Sequence, residues 1–263
     1  MLIVGEKINM TRSPVARAWQ ARDAGFIARL AKGQAEAGAA YIDVNSGVYG
    51  EEVDCMEWLV SIVQDAVDLP LSIDTTNAGA LERALALVKK TPMVNSISCE
   101  KARREAFLPL LRGRDCMVVA LLMSDQGVPK SAGERVQNAE VLMEDLLREG
   151  LDAEQIFIDP CVVPVASDPG AGAAVLEALP LIKQRWPAAH LIAGISNVSY
   201  GLPLRGLLNR TFLVMCIAVG LDAAILDPTD PGMRSAVLAG RAVLGRDPYC
   251  TDYLSWFRKG VLK

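Results

Sequence analysis

One pattern constrains this chain more than any other: about eight times, a short apolar or β-branched run is followed by a longer stretch with apolar residues at helical spacing. The runs that predict strands are Leu2 to Gly5, Tyr41 to Val44, Leu71 to Ile73, Met93 to Val94, Met117 to Leu122, Ile156 to Ile158, Leu191 to Ile195 and Ala223 to Leu226. Between them Asp23 to Ala37, Met56 to Val67, Ala78 to Lys89, Glu134 to Glu149 and Gly206 to Val219 have helical period. Strands separated by helices pair in parallel through right-handed crossovers. This number of units favours a closed (β/α)8 TIM barrel over an open sheet. Gly38, Gly150 and Gly220 stand before the second, sixth and eighth strands, where a helix needs a left-handed stop. No Pro-, Ser- or Gly-rich linker or sequence repeat interrupts the pattern, so a single domain over residues 1–263 is expected.

Composition removes several function classes. The net charge of −4 and pI near 5.2 leave no basic footprint, so no nucleic-acid partner is expected. The opening Met1 to Lys7 reaches charged residues too soon for a secretory leader. The longest apolar run, Phe212 to Val219, is far below the roughly 20 residues that cross a bilayer. The reading is therefore cytoplasmic, with no membrane partner. Cys55, Cys99, Cys116, Cys161, Cys216 and Cys250 form no C-x-x-C pair and read mostly as buried, inert thiols, and His190 is the only histidine. A zinc site and a Ser-His-Asp or Cys-His triad are both disfavoured, and no metal ligands are assigned.

The polar residues at the strand ends are more informative. In order the chain reads Glu6-Lys7-Ile8-Asn9, Asp43-Val44-Asn45, Asp74-Thr75-Thr76-Asn77, Asn95-Ser96, Asp159-Pro160, Ser196-Asn197 and Asp227-Pro228. The carboxyl ends of barrel strands converge on one face, where active sites lie. Any one of these acids or amides, Asp74 or Asn77 for example, reads equally well as a helix cap. Caps alone would draw more freely on Ser, Thr and Gly, so the set reads as a polar pocket of carboxylates and carboxamides. Such groups suit a flat heterocycle whose edge alternates N–H donors with acceptors, as a pterin's does. Asp227 and Asp230, after the eighth strand, would repel a phosphate.

These residues resemble the pterin-binding methyltransferases that serve corrinoid proteins, including the folate domain of cobalamin-dependent methionine synthase and the methyltetrahydrofolate:corrinoid methyltransferases. The matching pieces are Gly5-Glu6-Lys7-Ile8-Asn9, Asp43-Val44-Asn45, Ser72-Ile73-Asp74-Thr75-Thr76-Asn77, Asn95-Ser96, Ile158-Asp159-Pro160 and Gly194-Ile195-Ser196-Asn197-Val198-Ser199. The last continues into Leu208 to Leu213 and Gly220 to Ala224, so the match runs nearly end to end. The resemblance implies a barrel of the dihydropteroate-synthase type. It implies that Asp74, Asn95 and Asp159 hold the pterin edge and that Asn197 lies close to N5, with Ser196 beside it. Tyr200 and Arg205 would flank the pterin or its p-aminobenzoate tail, and Glu6 and Asp43 would shape the cavity. Asn197, Asp74 and Asp159 would take part in the chemistry, which passes a methyl group between N5 of tetrahydrofolate and a corrinoid (cobalamin).

The corrinoid must come from a separate protein, since no Asp-x-His-x-x-Gly motif is present and His190 starts a strand. Loops at Ser124 to Ser131 and Val162 to Gly172 would have to stay open to it. The demethylating direction, which forms methyltetrahydrofolate, is favoured over methyl donation into acetyl-CoA synthesis. A homodimer is implied; Trp58, Trp186 and Trp256 are candidates for an apolar contact surface, with ordinary packing the favoured reading of each. Three other readings are open. Dihydropteroate synthase would need Ser-Arg-Lys where this chain has Ser196-Asn197-Val198. A zinc-dependent thiol methyltransferase would need His and Cys ligands. A folate-binding protein without turnover shares the pocket.

Overall fold

The computed structural model describes residues 1–47 and 50–262. The strands are β1 (Leu2–Asn9), β2 (Tyr41–Asn45), β3 (Leu71–Asp74), β4 (Met93–Ser98), β5 (Met117–Leu121), β6 (Ile156–Asp159), β7 (His190–Leu191) and β8 (Ala223–Leu226). The helices are α1 (Ser13–Gln20), α2 (Ala24–Glu36), α3 (Glu52–Ala66), α4 (Ala78–Leu87), α5 (Lys101–Leu111), α6 (Ala132–Arg148), α7 (Ala171–Arg185), α8 (Arg205–Ala218), α9 (Pro231–Val243) and α10 (Thr251–Arg258). All ladder pairs are parallel, in the order β7-β6-β5-β4-β3-β2-β1-β8. The cylinder closes where Ile225 N donates to Ala193 O and Gly194 bridges Ile225.

The helices sit where caps and apolar stripes require. Asp23, Asn77, Ser131 and Asp230 each accept a first-turn N–H, at α2, α4, α6 and α9. Gly38, Gly150 and Gly220 hold φ of 86°, 94° and 114°, the left-handed stops expected of them. Helix α3 buries Cys55, Met56, Leu59, Val60 and Val63, one face of a helix, against the barrel wall.

Two apolar layers result. The larger lies between strands and helices. The smaller plugs the barrel and takes one residue from each of seven strand paths: Val4, Tyr41, Met93, Val119, Phe157, Ile192 and Ala223. Strand side chains alternate faces, so the residue two further on from each plug residue also points inward, one layer nearer the carboxyl end. From Val4, Tyr41, Met93 and Phe157 that step reaches Glu6, Asp43, Asn95 and Asp159.

Two expectations about strand bounds need correction. β1, β2, β3, β4 and β6 run on past their apolar stretches, so Glu6, Asn45, Asp74, Asn95 and Asp159 stand on strands rather than in loops. The apolar run predicts a seventh strand over Leu191 to Ile195. The ladder covers only His190–Leu191, and Ile195–Ser199 turns into a 3₁₀ helix that aims Ser196 and Asn197 over the mouth. As expected of most of the thiols, five are buried, and Cys250 is exposed. The tryptophans pack within the chain, the reading favoured for them from the sequence. Trp58 and Trp186 pack on the core, Trp58 edge-on to Trp19, and Trp256 lies beneath the cations of Arg234 and Lys259.

The plug should be the part of the barrel least tolerant of truncation. Met93→Ala empties a site with no exposed surface and is expected to cost about 2–5 kcal/mol. Denaturant unfolding measures this, and a loss well under 1 kcal/mol would mean that the layer is not tightly packed.

Candidate functional site

The polar layer above the plug is built of hydrogen-bonded groups. On β2, Asp43 is 2% exposed and its Oδ1 accepts from Ser72 Oγ at 2.6 Å and from Asn95 Nδ2 at 3.1 Å. The neighbouring carboxylate, Asp74 on β3, accepts from Asn45 Nδ2 at 2.8 Å. The ladder explains these contacts, since Asp43 is in register with Ser72 and Asn45 with Asp74, which in turn pairs with Asn95.

Asp159 closes the far side. It is 7% exposed, and its Oδ1 accepts from the backbone N–H of Cys161 at 2.8 Å, with a further hydrogen bond from the N–H of Gly194. Gly194 has a second task. A Cβ there would lie 3.1 Å from Asn197 Nδ2, so the bare backbone makes room for that side chain. Gly194 thus touches both Asp159 and Asn197, two residues that the sequence separates widely. Glu6 accepts from Ser196 Oγ through both oxygens, at 2.6 and 2.8 Å, which ties β1 to the turn after β7. At the rim, Arg205 donates from Nη2 to Ser196 O at 2.7 Å and from Nε to Ser199 Oγ at 3.1 Å. It also faces the ring of Tyr200, which is 68% exposed.

The sequence-derived residues therefore meet in one place, with Asp43 and Asp159 deep, Glu6, Asp74, Asn95 and Ser196 half-buried, and Asn197, Tyr200 and Arg205 exposed at the rim. Asp227 belongs elsewhere. It forms an ion pair with Lys7 at 3.1 Å and accepts from Thr229, while Asn77 and Asp230 are helix caps. Sequence reasoning misses two participants. Asn45 stands two residues beyond Asp43, so strand alternation alone would have put it on the same inward face. Arg103 carries no signal in the sequence, yet its Nη1 donates to Thr75 O and its charge acts on Asp74.

Burial sets the electrostatics. It pushes Asp43 well above the ordinary carboxylate range, and the negative charge of Asp74 adds to the rise against the bonds from Ser72 and Asn95. Asp74 is also raised by burial, but Asn45 and the Arg103 charge pull it back. One proton shared by this pair accordingly resides on Asp43. Burial lifts Asp159 to about 6 despite its two backbone donors, and lifts Glu6 despite the Ser196 bond. The layer offers Asp74 as the more acidic member of the pair, an Asp159 that changes charge near neutrality, and three carboxamides able to donate or accept.

This fold and ring place the chain in a known class. The family model for pterin binding enzymes matches residues 5–227, and the chain belongs to that family. Over 265 residues it is 36% identical to the methylcorrinoid:tetrahydrofolate methyltransferase of Eubacterium limosum, covering 100% of this chain and 98% of that protein. It is 30% identical over 240 residues to the methionine synthase of Mycobacterium tuberculosis, covering 86% of this chain but only 20% of that much longer protein. Among solved structures, the dihydropteroate synthase of Burkholderia cenocepacia superposes with a TM-score of 0.70 at 20% identity, over 93% of this chain and 91% of that one. The dihydropteroate synthase of Xanthomonas albilineans bound to 7,8-dihydropteroate gives 0.65 at 18%, over 83% and 85%. At these identities the two structures speak to the fold.

The shared proton can be tested by stability. A carboxyl whose folded pKa is raised holds a proton that the unfolded chain has released, so stability falls as pH climbs from the unfolded carboxylate range toward the folded value. Asp43→Asn keeps an acceptor for Ser72 and Asn95 and a donor toward Asp74 without titrating. Its stability relative to wild type is expected to improve as pH rises above the unfolded carboxylate range, at up to about 1.4 kcal/mol per pH unit. Paired thermal unfolding curves read this, and a gap independent of pH would place the proton elsewhere.

Proposed function

We propose that this protein transfers a methyl group between a corrinoid carried on a separate protein and N5 of tetrahydrofolate, running chiefly toward methyltetrahydrofolate. The observation that carries this reading is the full-length similarity to the methylcorrinoid:tetrahydrofolate methyltransferase, joined to a polar layer suited to a pterin. A pterin's pyrimidine edge presents N–H groups that Asp74 and Asp159 can accept and a carbonyl to which Asn95 can donate. Asn197, above them on the turn after Gly194, is the carboxamide assigned to N5. The same reading includes a cytoplasmic location and a homodimer. The exposed apolar side chains of Leu207, Met215, Leu254 and Phe257 on α8 and α10 support a contact between copies.

The chain's own contribution comes from proton accounting. As tetrahydrofolate gains a methyl at N5, the N5 lone pair forms the new C–N bond and the N5 proton must leave. The docked corrinoid supplies the methyl group and retains the electron pair of the bond that breaks. Asn197 accepts the N5–H hydrogen bond, and a carboxylate of the layer, Asp159 or Asp74, takes the proton directly or through water. In reverse the same acid returns it, making the amine a better leaving group. A hydrogen bond that strengthens as charge develops on N5 lowers the barrier, by about 2.7–4 kcal/mol if Asn197 is worth as much as other preorganised hydrogen-bonding groups. The layer also fixes the pterin plane, so that N5 faces the open mouth in line with the incoming methyl.

Stopped-flow spectra of methylcobalamin mixed with tetrahydrofolate test the activity. Turnover of the methylcobalamin bands is expected only when the protein is present. Bands that stay unchanged with the protein, together with no calorimetric uptake of tetrahydrofolate, would refute it. The roles separate by variant. Asn197→Ala is expected to slow transfer by about 10²–10³ with folate affinity nearly kept, whereas Asp159→Ala should chiefly weaken binding. Equal losses in both constants would contradict the assignment.

A further inference from the structure

Arg135 is among the largest fully buried side chains of the molecule, 1% exposed on the inner face of α6. A guanidinium is always charged and is costly to bury without a carboxylate partner, yet among the described residues it makes no ion pair at salt-bridge distance. Its contacts are to backbone. Nε donates to Pro160 O at 2.8 Å and Nη1 to Ser131 O at 3.2 Å. Placing a cation there weakens the core, so its cost calls for a compensating role.

The peptide that Arg135 grips supplies that role. Pro160 O and Cys161 N–H belong to the same planar unit, and Cys161 N–H donates to Asp159 at 2.8 Å. One end of the peptide is held by the guanidinium and the other holds the site carboxylate. Cys161 sits at φ 61°, a left-handed conformation that a non-glycine residue adopts only when its surroundings enforce it. A flip of this peptide would relieve that conformation and turn a carbonyl oxygen, rather than an N–H, toward Asp159.

We propose that Arg135 is a positioning residue for the pterin site, locking the Pro160–Cys161 peptide so that its N–H keeps Asp159 ionised and aimed at the ligand. Carbonyl-to-guanidinium bonding polarises the peptide and strengthens its N–H as a donor. The positive charge acts on Asp159 in the same direction. The charged and titratable groups around this unit are Arg135 and Glu134 from α6 and Asp168 and Cys161 from the β6–α7 connection. Burial holds the Cys161 thiol up at about 12, leaving Asp159 as the group that titrates near neutrality.

The inference rests on the folate reading for its ligand, and the wild-type protein is the control that separates the two. Tetrahydrofolate binding by calorimetry, followed across pH, is compared for wild type, Arg135→Lys and Arg135→Met. In wild type, affinity should hold above the Asp159 value of about 6 and weaken below it. In Arg135→Met that acid limb should move to higher pH and affinity at neutral pH should fall roughly tenfold or more. Arg135→Lys, which keeps the charge and one donor, should recover part of both and serves should the methionine variant fail to fold. In an Asp159→Asn background, Arg135→Lys should add little further loss. Wild type without folate uptake would sink the methyltransferase reading. Uptake by wild type with an unmoved acid limb in Arg135→Lys, even at a lowered melting temperature, would show a purely structural arginine and overturn this proposal.

Discussion

Everything in this molecule hangs on a two-residue step. In a closed parallel barrel, inward-facing positions are fixed by the pleat, so a chain that places an apolar residue at one inward position and a polar one two residues later builds a dry plug with a wet layer above it. Val4 and Glu6, Tyr41 and Asp43, Met93 and Asn95, and Phe157 and Asp159 obey this step on four strands. The plug bars water from below and lowers the local dielectric. This is why Asp43, Asp159 and Glu6 all hold their protons more tightly than exposed acids would.

That electrostatic setting narrows what the layer can bind. Several carboxyls crowded into one buried space cannot all ionise; Ser72, Asn95 and Asn45 relieve the crowding as donors, and burial raises the pKa of Asp43 the furthest of the pair. A polyanion would meet repulsion there. A neutral ligand rich in N–H groups would instead replace lost hydration with matched hydrogen bonds. Membership in the pterin-binding family agrees with this limit, which comes from burial and charge alone.

Much of this can be read from the chain. The alternation of eight units, the three glycine stops and the acids and amides after the strands all obey local rules, since apolar period and turn chemistry are written residue by residue. The strand ends cannot be placed in this way, because the rule that ends a strand at a polar residue fails inside a barrel, where inward polar side chains continue it. That rule puts Glu6 and Asp74 in loops. The seventh strand fails in the opposite sense. Its apolar run Leu191 to Ile195 looks uniform, yet the chain leaves the ladder after Leu191 and turns into a 3₁₀ helix, with Gly194 leaving room for the Asn197 side chain.

Arg135 lies beyond any such reading. In sequence it is one more cation in an amphipathic helix, where an exposed position is the natural expectation. Only the packing of α6 onto the end of β6 buries it against the carbonyl of Pro160. Its role depends on three links at once: the helix register, the left-handed turn at Cys161 and the carboxylate that the turn supports. Each link is ordinary alone. Together they connect a residue on the outer ring of helices to an acid in the middle of the barrel, so the helix layer shapes the chemistry of the site as well as supporting its wall.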